Sequence, residues 1–301
     1  MTISTLALND GNQVPWIAFG SGTAFYQQDA QTAMQTAIAS GFTHLDCAQM
    51  YENEETVGAA IKASGTPRSE LFITTKLNIL PPGQTAKTAL KESLEKLGME
   101  YVDLYLVHNP SHHEGQLKAV WKVMEECKKE GLAKSIGVSN FEVGHLQEIL
   151  EDAQCPPSVN QVSGMRWPIN VDPDDPFPDK VEIHPYTWKS LQPVFALHKE
   201  FDIVTSSYGG LSPLFRAQGG PVDPVIEKIQ ERLESTRGQP VSSSHVLNKW
   251  LQQQGILVVT TSSKADRMKE YLDTANVPEL TAEEMGLIES AGAQRHQKFF
   301  D

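Results

Sequence analysis

The sequence lacks the features that mark several large classes of protein. Its 301 residues contain nothing close to the run of about 18 apolar residues that crosses a membrane. The opening residues, MTISTLALNDGNQ, lack the basic and apolar regions of a signal peptide. Three cysteines occur, Cys47, Cys127 and Cys155, and they form neither a CxxC pair nor a metal-ligand spacing. These absences predict a cytoplasmic protein with reduced thiols.

Positive charge is also scarce. Lysine and arginine together number 25 against 38 aspartates and glutamates, which gives a net charge of −13. A chain this acidic is not expected to bind nucleic acid or to dock on an anionic membrane. The charge does not exclude an anionic cofactor, because a bound phosphate responds to its local pocket rather than to the net charge. We expect a monomer or a weak homo-oligomer.

Apolar strand-like runs alternate with amphipathic helical segments along the whole chain, with no linker or low-complexity tract. A hairpin comes first, with its turn at residues 9–12. About eight repeats of strand and helix predict an α/β fold, a single (β/α)₈ barrel over residues 1–301 with an N-terminal β-hairpin. A doubly wound sheet is the alternative, but FGSGTA matches the GxGxxG phosphate turn poorly.

Capping residues and glycine stops predict where helices begin and end. Asp29 and Asn53 are expected to cap the first two helices of the barrel. Later helices are predicted at 85–97, 143–153 and 187–200.

Four side chains of complementary chemistry fall at or near strand ends: Asp46, Tyr51, Lys76 and His108. In a parallel barrel the carboxyl ends of the strands open on one face, so these groups converge there. A phenol with a pKa of about 10 is a poor acid at neutral pH. An adjacent lysine is expected to lower that pKa, while the aspartate holds the lysine charged and the imidazole orients a carbonyl oxygen. Taken alone, Lys76 also suits a Schiff-base lyase, and Asp46 also suits a loop salt bridge.

The four positions resemble the tetrad of the aldo-keto reductase family in residue type, order and spacing, and the resemblance covers almost the whole chain. It implies NADPH-dependent reduction of an aldehyde or ketone to an alcohol, with Tyr51 as the proton donor and without a metal. GVSNF and NQV resemble the segments that hold the nicotinamide carboxamide, and SSYGGLSPL resembles the segment that covers the ring. The implied contacts are Ser139, Asn140, Gln161, Tyr208 and Leu211.

The stretch expected to bind the cofactor phosphate departs from the commonest pattern of the family. TTSSKADR stands where Pro-Lys-Ser and a later arginine are usual, so the implied contacts are Ser262, Lys264 and Arg267, with Thr261 in the usual lysine position. This variant is similar to the fungal branch that reduces α-keto amides and conjugated polyketones.

Substrate contacts are expected from Phe25, Asn109 and Trp167. Asn109 stands where most members of the family have tryptophan. Trp167 belongs to an acidic, proline-rich insertion at residues 163–181, which is predicted to be irregular and to leave the barrel on the catalytic face. This insertion is either a substrate lid or a segment foreign to the working enzyme.

Two other functions of the chain remain open, a lyase that uses Lys76 and a regulatory barrel that binds NADPH without turnover.

Overall fold

Eight parallel strands close into a barrel behind a short antiparallel hairpin, in a computed structural model that describes residues 3–162, 182–297 and 299. The hairpin pairs β1 (Thr5–Ala7) with β2 (Gln13–Pro15). The barrel contains β3 (Ile17–Gly20), β4 (His44–Asp46), β5 (Phe72–Leu77), β6 (Val102–Val107), β7 (Ala133–Ser139), β8 (Val159–Val162), β9 (Val204–Tyr208) and β10 (Leu257–Thr260). Each strand pairs with the next, and β10 returns to β3. The predicted hairpin and barrel are confirmed, and the doubly wound alternative is wrong.

Helices surround the barrel. The α-helices of the described residues are α1 (Gln31–Ser40), α2 (Glu54–Ser64), α3 (Ala86–Leu97), α4 (Leu117–Lys129), α5 (Val143–Leu150), α6 (Gln192–Glu200), α7 (Ser212–Arg216), α8 (Asp223–Arg237), α9 (Ser243–Gln253), α10 (Ala265–Asp273) and α11 (Ala282–Gly292). Four short 3₁₀ helices span Gln49–Tyr51, Arg68–Glu70, Pro110–His113 and Thr274–Asn276. Over the ranges that the structure covers, every helix is too short or too polar to cross a membrane.

The barrel strands are buried on both faces, as parallel strands between helices and a packed interior must be. Every residue of β5 and of β6 is buried. The register aligns the carboxyl ends of the strands: Asp46 lies opposite Thr74, Lys76 opposite Leu106, and Ser139 opposite Gln161. The polar side chains at these ends therefore open toward one rim of the barrel.

Several helix boundaries differ from the predicted ones for local reasons. The helix predicted at 85–97 begins at Ala86, because Thr85 is its N-cap and accepts a hydrogen bond from the N–H of Thr88. The helix predicted from residue 187 begins at Gln192, because Pro193 favours the first turn of a helix, and the helix predicted to end at 153 ends at Leu150. Asn53 makes no side-chain cap, so that prediction is wrong.

The predicted insertion at 163–181, with Trp167, lies outside the described residues, and the single-domain boundary of 1–301 remains a prediction.

The contact between α2 and α3 depends on a glycine. A Cβ atom at Gly58 would lie 2.6 Å from the carbonyl oxygen of Leu97, which is a main-chain atom that cannot rotate away. We expect Gly58→Ala to lower the free energy of unfolding by about 1–3 kcal/mol, the usual cost of overpacking. Gly286→Ala in α11 is the control, since a Cβ there meets nothing within 4 Å. That variant should be neutral or slightly more stable. Urea unfolding of both variants measures the difference, and equal midpoints would contradict the assigned contact.

Candidate active site

The four predicted tetrad residues come together at the carboxyl ends of neighbouring strands. Asp46 ends β4, Lys76 lies one residue before the end of β5, and His108 follows β6. Tyr51 ends the 3₁₀ helix that follows β4. All four are buried, with exposures between 0% for Lys76 and 7% for Tyr51. The barrel register thus converts four separate strand ends into one pocket.

Lys76 is the centre of the hydrogen-bond network. Its ammonium forms an ion pair with Asp46 and donates to the carbonyl oxygen of Cys47 at 3.0 Å and to the hydroxyl of Tyr51 at 3.3 Å. Burial alone would lower the pKa of Lys76, but the carboxylate of Asp46 outweighs it and raises that pKa above its ordinary value. Lys76 is therefore a fixed ammonium whose three donors are all engaged.

The phenol of Tyr51 lies between this ammonium and an imidazole. Its ring meets the ring of His108 edge to face, with centroids 5.5 Å apart and an interplanar angle of 83°. Burial raises the pKa of Tyr51, and Lys76 opposes that rise without cancelling it. The predicted net lowering of this pKa is wrong for this structure, because desolvation of the phenolate exceeds the attraction of the lysine. Tyr51 therefore keeps its proton at neutral pH.

The predicted carboxamide contacts gather on the neighbouring strand ends. Asn140 donates from its side-chain amide to the carbonyl oxygen of His108 at 2.9 Å and to the hydroxyl of Ser139 at 3.1 Å. Its main-chain N–H donates to the carbonyl oxygen of Gln161 at 2.9 Å. A φ of +63° makes this turn possible, and asparagine tolerates that conformation. Gln161 also reaches the tetrad, because its Nε2 donates to Asp46 at 2.8 Å.

A cleft of about 150 Å³ lies at the ends of β9 and β10. Its lining includes Tyr208 and Leu211, the two predicted contacts of the ring, together with Thr261. The Oγ1 atom of Thr261 is buried and has no hydrogen-bond partner among the described residues. A larger cleft of about 710 Å³ lies along α1 and α10 and contains none of the predicted site residues, so we assign the chemistry to the barrel mouth.

The predicted phosphate contacts surround the N-terminus of α10. Lys264 precedes the helix, and its N–H donates to the hydroxyl of Ser262 at 3.0 Å. Arg267 lies in the first turn, with its guanidinium 5.4 Å from the ring centroid of Phe215. Lys264 and Arg267 are exposed and Ser262 is buried. Two cations beside the free N–H groups of a helix start form an environment that suits a phosphate.

The two described residues among the predicted substrate contacts lie at the rim. Phe25 is half-buried and packs against Phe19, with ring centroids 6.5 Å apart. Asn109 follows His108 and accepts hydrogen bonds at its Oδ1 from the N–H and hydroxyl of Ser111, at 3.0 and 2.9 Å. The plane of the Asn109 amide is therefore fixed by its own loop.

Three supporting residues were not predicted. Asn53 donates to the carbonyl oxygens of Ser21 and Phe25, both at 2.9 Å, and so anchors the loop after β3. Gly22 in that loop brings its backbone against Tyr51, since a Cβ there would lie 3.0 Å from the phenol ring. The carbonyl of Cys47 holds Lys76. Any residue type supplies a carbonyl, so the contact through Cys47 leaves no signal in the sequence. Gly22, the second glycine of FGSGTA, is a signal for a close approach of the backbone.

Comparison with known proteins decides the family. Residues 16–170 match the model of the aldo/keto reductase family. An NAD/NADP-dependent indole-3-acetaldehyde reductase of Schizosaccharomyces pombe is 35% identical, and the match covers 96% of each chain. The chain belongs to the aldo/keto reductase family. The resemblance inferred from the sequence is thereby confirmed, and this aldo/keto reductase is an oxidoreductase of carbonyl compounds.

Two further relatives support the same assignment of this aldo/keto reductase. An NADPH-dependent alpha-keto amide reductase of Saccharomyces cerevisiae is 31% identical over 95% of this chain and 90% of its own length. An aldo-keto reductase of Bombyx mori, solved in complex with NADP, is 28% identical with a TM-score of 0.77, and the match covers 97% of this chain and 93% of that one.

The buried ion pair makes a prediction about stability. Asp46→Leu removes the counter-ion and leaves the ammonium of Lys76 buried, so the free energy of unfolding should fall by about 3–5 kcal/mol. The double variant Asp46→Leu, Lys76→Met should regain most of that loss, because no charge is left unpaired. Glu151→Ala removes an exposed partner of Lys118 and should change stability little. Chemical unfolding measures all three, and a double variant as unstable as Asp46→Leu would contradict the explanation.

Proposed function

We propose that this aldo/keto reductase reduces an aldehyde or ketone to an alcohol with NADPH, and that Tyr51 donates the proton. The observation that carries the proposal is that Tyr51 contacts both a fixed ammonium, at 3.3 Å, and the ring of His108, with centroids 5.5 Å apart. A carbonyl oxygen placed between the phenol and the imidazole would meet two hydrogen-bonding groups. That oxygen is the atom on which negative charge develops, so both groups would stabilise it.

The residues of the barrel mouth fit the cofactor that the proposal requires. The unpartnered hydroxyl of Thr261, beside Lys264 and Arg267 at a helix N-terminus, offers a hydrogen bond where a phosphate would bind. The polar atoms of Ser139, Asn140 and Gln161 would hold the carboxamide. The ring of Tyr208 and the side chain of Leu211 would cover the nicotinamide. When bound, NADPH supplies the hydride.

Proton transfer then follows from the pKa values of the site. Because burial raises the pKa of Tyr51, the phenol is protonated at neutral pH and has a proton to donate. The alkoxide that forms on the substrate is a far stronger base than a phenolate, so it takes that proton. The ammonium of Lys76 stabilises the phenolate that remains, and Asp46 keeps the ammonium in place.

The same geometry disfavours a Schiff-base lyase. A lysine that attacks a carbonyl must be neutral, and catalytic lysines of that kind have lowered pKa values. The pKa of Lys76 is raised, and its three donors point at Asp46, Cys47 and Tyr51. The regulatory alternative predicts tight NADPH binding without turnover. Steady-state consumption of NADPH with a carbonyl substrate would decide against it.

Activated carbonyls are the proposed substrate class. The names of the two fungal relatives specify an aldehyde and an α-keto amide. Asn109 gives the rim beside His108 a polar amide, which suits a substrate with a second oxygen near the reacting carbonyl. A panel of aldehydes, α-keto esters and cyclic diketones, assayed by the loss of NADPH absorbance, tests this class. Absence of turnover on the whole panel would contradict it.

Loss of the phenol hydroxyl should abolish most of the activity. Tyr51→Phe keeps the ring and removes the proton, so kcat should fall by about 10²-fold or more, as expected for loss of a general acid. NADPH binding, measured by fluorescence titration, should be retained. Tyr26→Phe is the matched control, because Tyr26 packs against the same small apolar cluster and lies outside the tetrad. A Tyr51→Phe enzyme with near-normal kcat would refute the assignment.

The preference for NADPH over NADH should depend on Arg267. Its planar guanidinium suits a phosphate, so Arg267→Ala should weaken NADPH binding more than NADH binding by about 1.5–3 kcal/mol. Lys264→Ala should show a smaller bias of the same sign. Lys269→Ala, an exposed lysine farther along α10, is the control and should leave both affinities unchanged. Equal weakening of both cofactors by Arg267→Ala would mean that this residue does not contact the 2′-phosphate.

A further inference from the structure

We infer that Gln161 is a positioning residue of the tetrad, in addition to its proposed contact with the carboxamide. It holds Asp46, and through Asp46 it holds Lys76 and Tyr51. The inference deepens the proposed function and rests on it for its consequence in catalysis.

The hydrogen bond itself is well defined. The Nε2 atom of Gln161 lies 2.8 Å from Oδ2 of Asp46, and the two residues are 4% and 2% exposed. The carboxylate divides its oxygens between two donors, since Oδ1 accepts from Lys76. An ionised carboxylate only accepts hydrogen bonds, so the amide nitrogen of Gln161, and not its oxygen, must face Asp46. A buried bond to a charged acceptor belongs to the stronger class of hydrogen bonds.

The position of this bond in the barrel gives it a distinct role. Asp46 ends β4, which pairs with β3 and β5, whereas Gln161 lies in β8, which pairs with β7 and β9. The two strands are not neighbours, so the bond spans the mouth of the barrel. The main chain of Gln161 is fixed at both sides, because it pairs with Ser139 and Ser206 in the sheet. Asp46 is therefore braced against the opposite wall of the barrel.

This arrangement couples the carboxamide site to the proton donor. With Nε2 engaged by Asp46, Oε1 is the atom of Gln161 suited to accept a hydrogen bond from an amide N–H group. A donor at Oε1 polarises the amide and strengthens its bond to Asp46, because hydrogen bonds in a chain reinforce one another. Occupation of the carboxamide site would thus tighten the hold of Gln161 on Asp46, the counter-ion of Lys76.

The test separates this role from cofactor binding. Gln161→Glu keeps an acceptor oxygen for the carboxamide but replaces the donor facing Asp46 with a second acceptor. Gln161→Met removes both. At saturating NADPH we expect kcat to fall about tenfold or more in each variant, the loss expected for a hydrogen bond to a charged group. Ser206→Ala is the matched control, because Ser206 lies opposite Gln161 in the register on the other side, its hydroxyl has no hydrogen-bond partner among the described residues, and it is assigned to neither the tetrad nor the cofactor site. It should leave both kcat and the Kd for NADPH within about twofold.

A double-variant cycle with Asp46→Ala identifies the partner through which Gln161 acts, because alanine leaves no group for Gln161 to bond. If Gln161 acts through Asp46, Gln161→Met should change kcat by less than about twofold in the Asp46→Ala background. The unfolding midpoints of the cofactor-free proteins should show the same non-additivity, and this readout does not require activity. The inference would be overturned if the fold-changes in kcat of the two single variants multiplied in the double variant and their shifts in unfolding midpoint added. Gln161→Asn, which shortens the side chain by one methylene, replaces Gln161→Met should that variant fail to fold.

The outcomes distinguish failure of the inference from failure of the proposed function. A wild-type protein that reduces no carbonyl with NADPH would refute the proposed function. Even then, non-additive shifts in the unfolding midpoints of the Gln161 and Asp46 variants would support the hydrogen bond between these residues. An active wild type with uncoupled variants would refute only the positioning role.

Discussion

The site depends on one buried ion pair, between Lys76 and Asp46. A buried ammonium costs free energy unless a partner compensates it, and here the partner is fixed at the end of the adjacent strand. This pairing keeps Lys76 charged and directs its remaining donors at Cys47 and Tyr51. Without the carboxylate, burial would favour a neutral lysine, and the phenolate of Tyr51 would lose its stabilising charge.

The barrel supplies what the ion pair needs. Parallel strands bring their carboxyl ends to one rim, so groups that are distant in sequence meet without long loops. The bond between Gln161 and Asp46 joins residues 115 positions apart across that rim. Buried strands on all sides leave few alternative positions for these side chains, and a geometry held in this way needs little reorganisation when charge develops on a substrate.

Much of this architecture could be predicted from the sequence, because its signals are local. Alternating apolar runs and glycine stops give the barrel, and the strand-end positions of Asp46, Lys76 and His108 give the pocket. What could not be predicted depends on packing between distant segments. Asn53 reads as a helix cap, yet its amide is used to anchor the loop at Ser21 and Phe25. The pKa of Tyr51 depends on how deeply the phenol is buried. The identities of its neighbours in the sequence do not show that depth.

Transfer of a label from the cofactor tests the central claim most directly. Two preparations of NADPH, each with deuterium at one of the two C4 positions, would be oxidised by the wild-type enzyme in the presence of an activated carbonyl. The deuterium content of the alcohol product would then be measured by NMR. The account predicts deuterium on the carbinol carbon from only one of the two C4 positions, because Tyr208 is proposed to cover one face of the ring. No transfer of deuterium, or transfer from both positions, would contradict it.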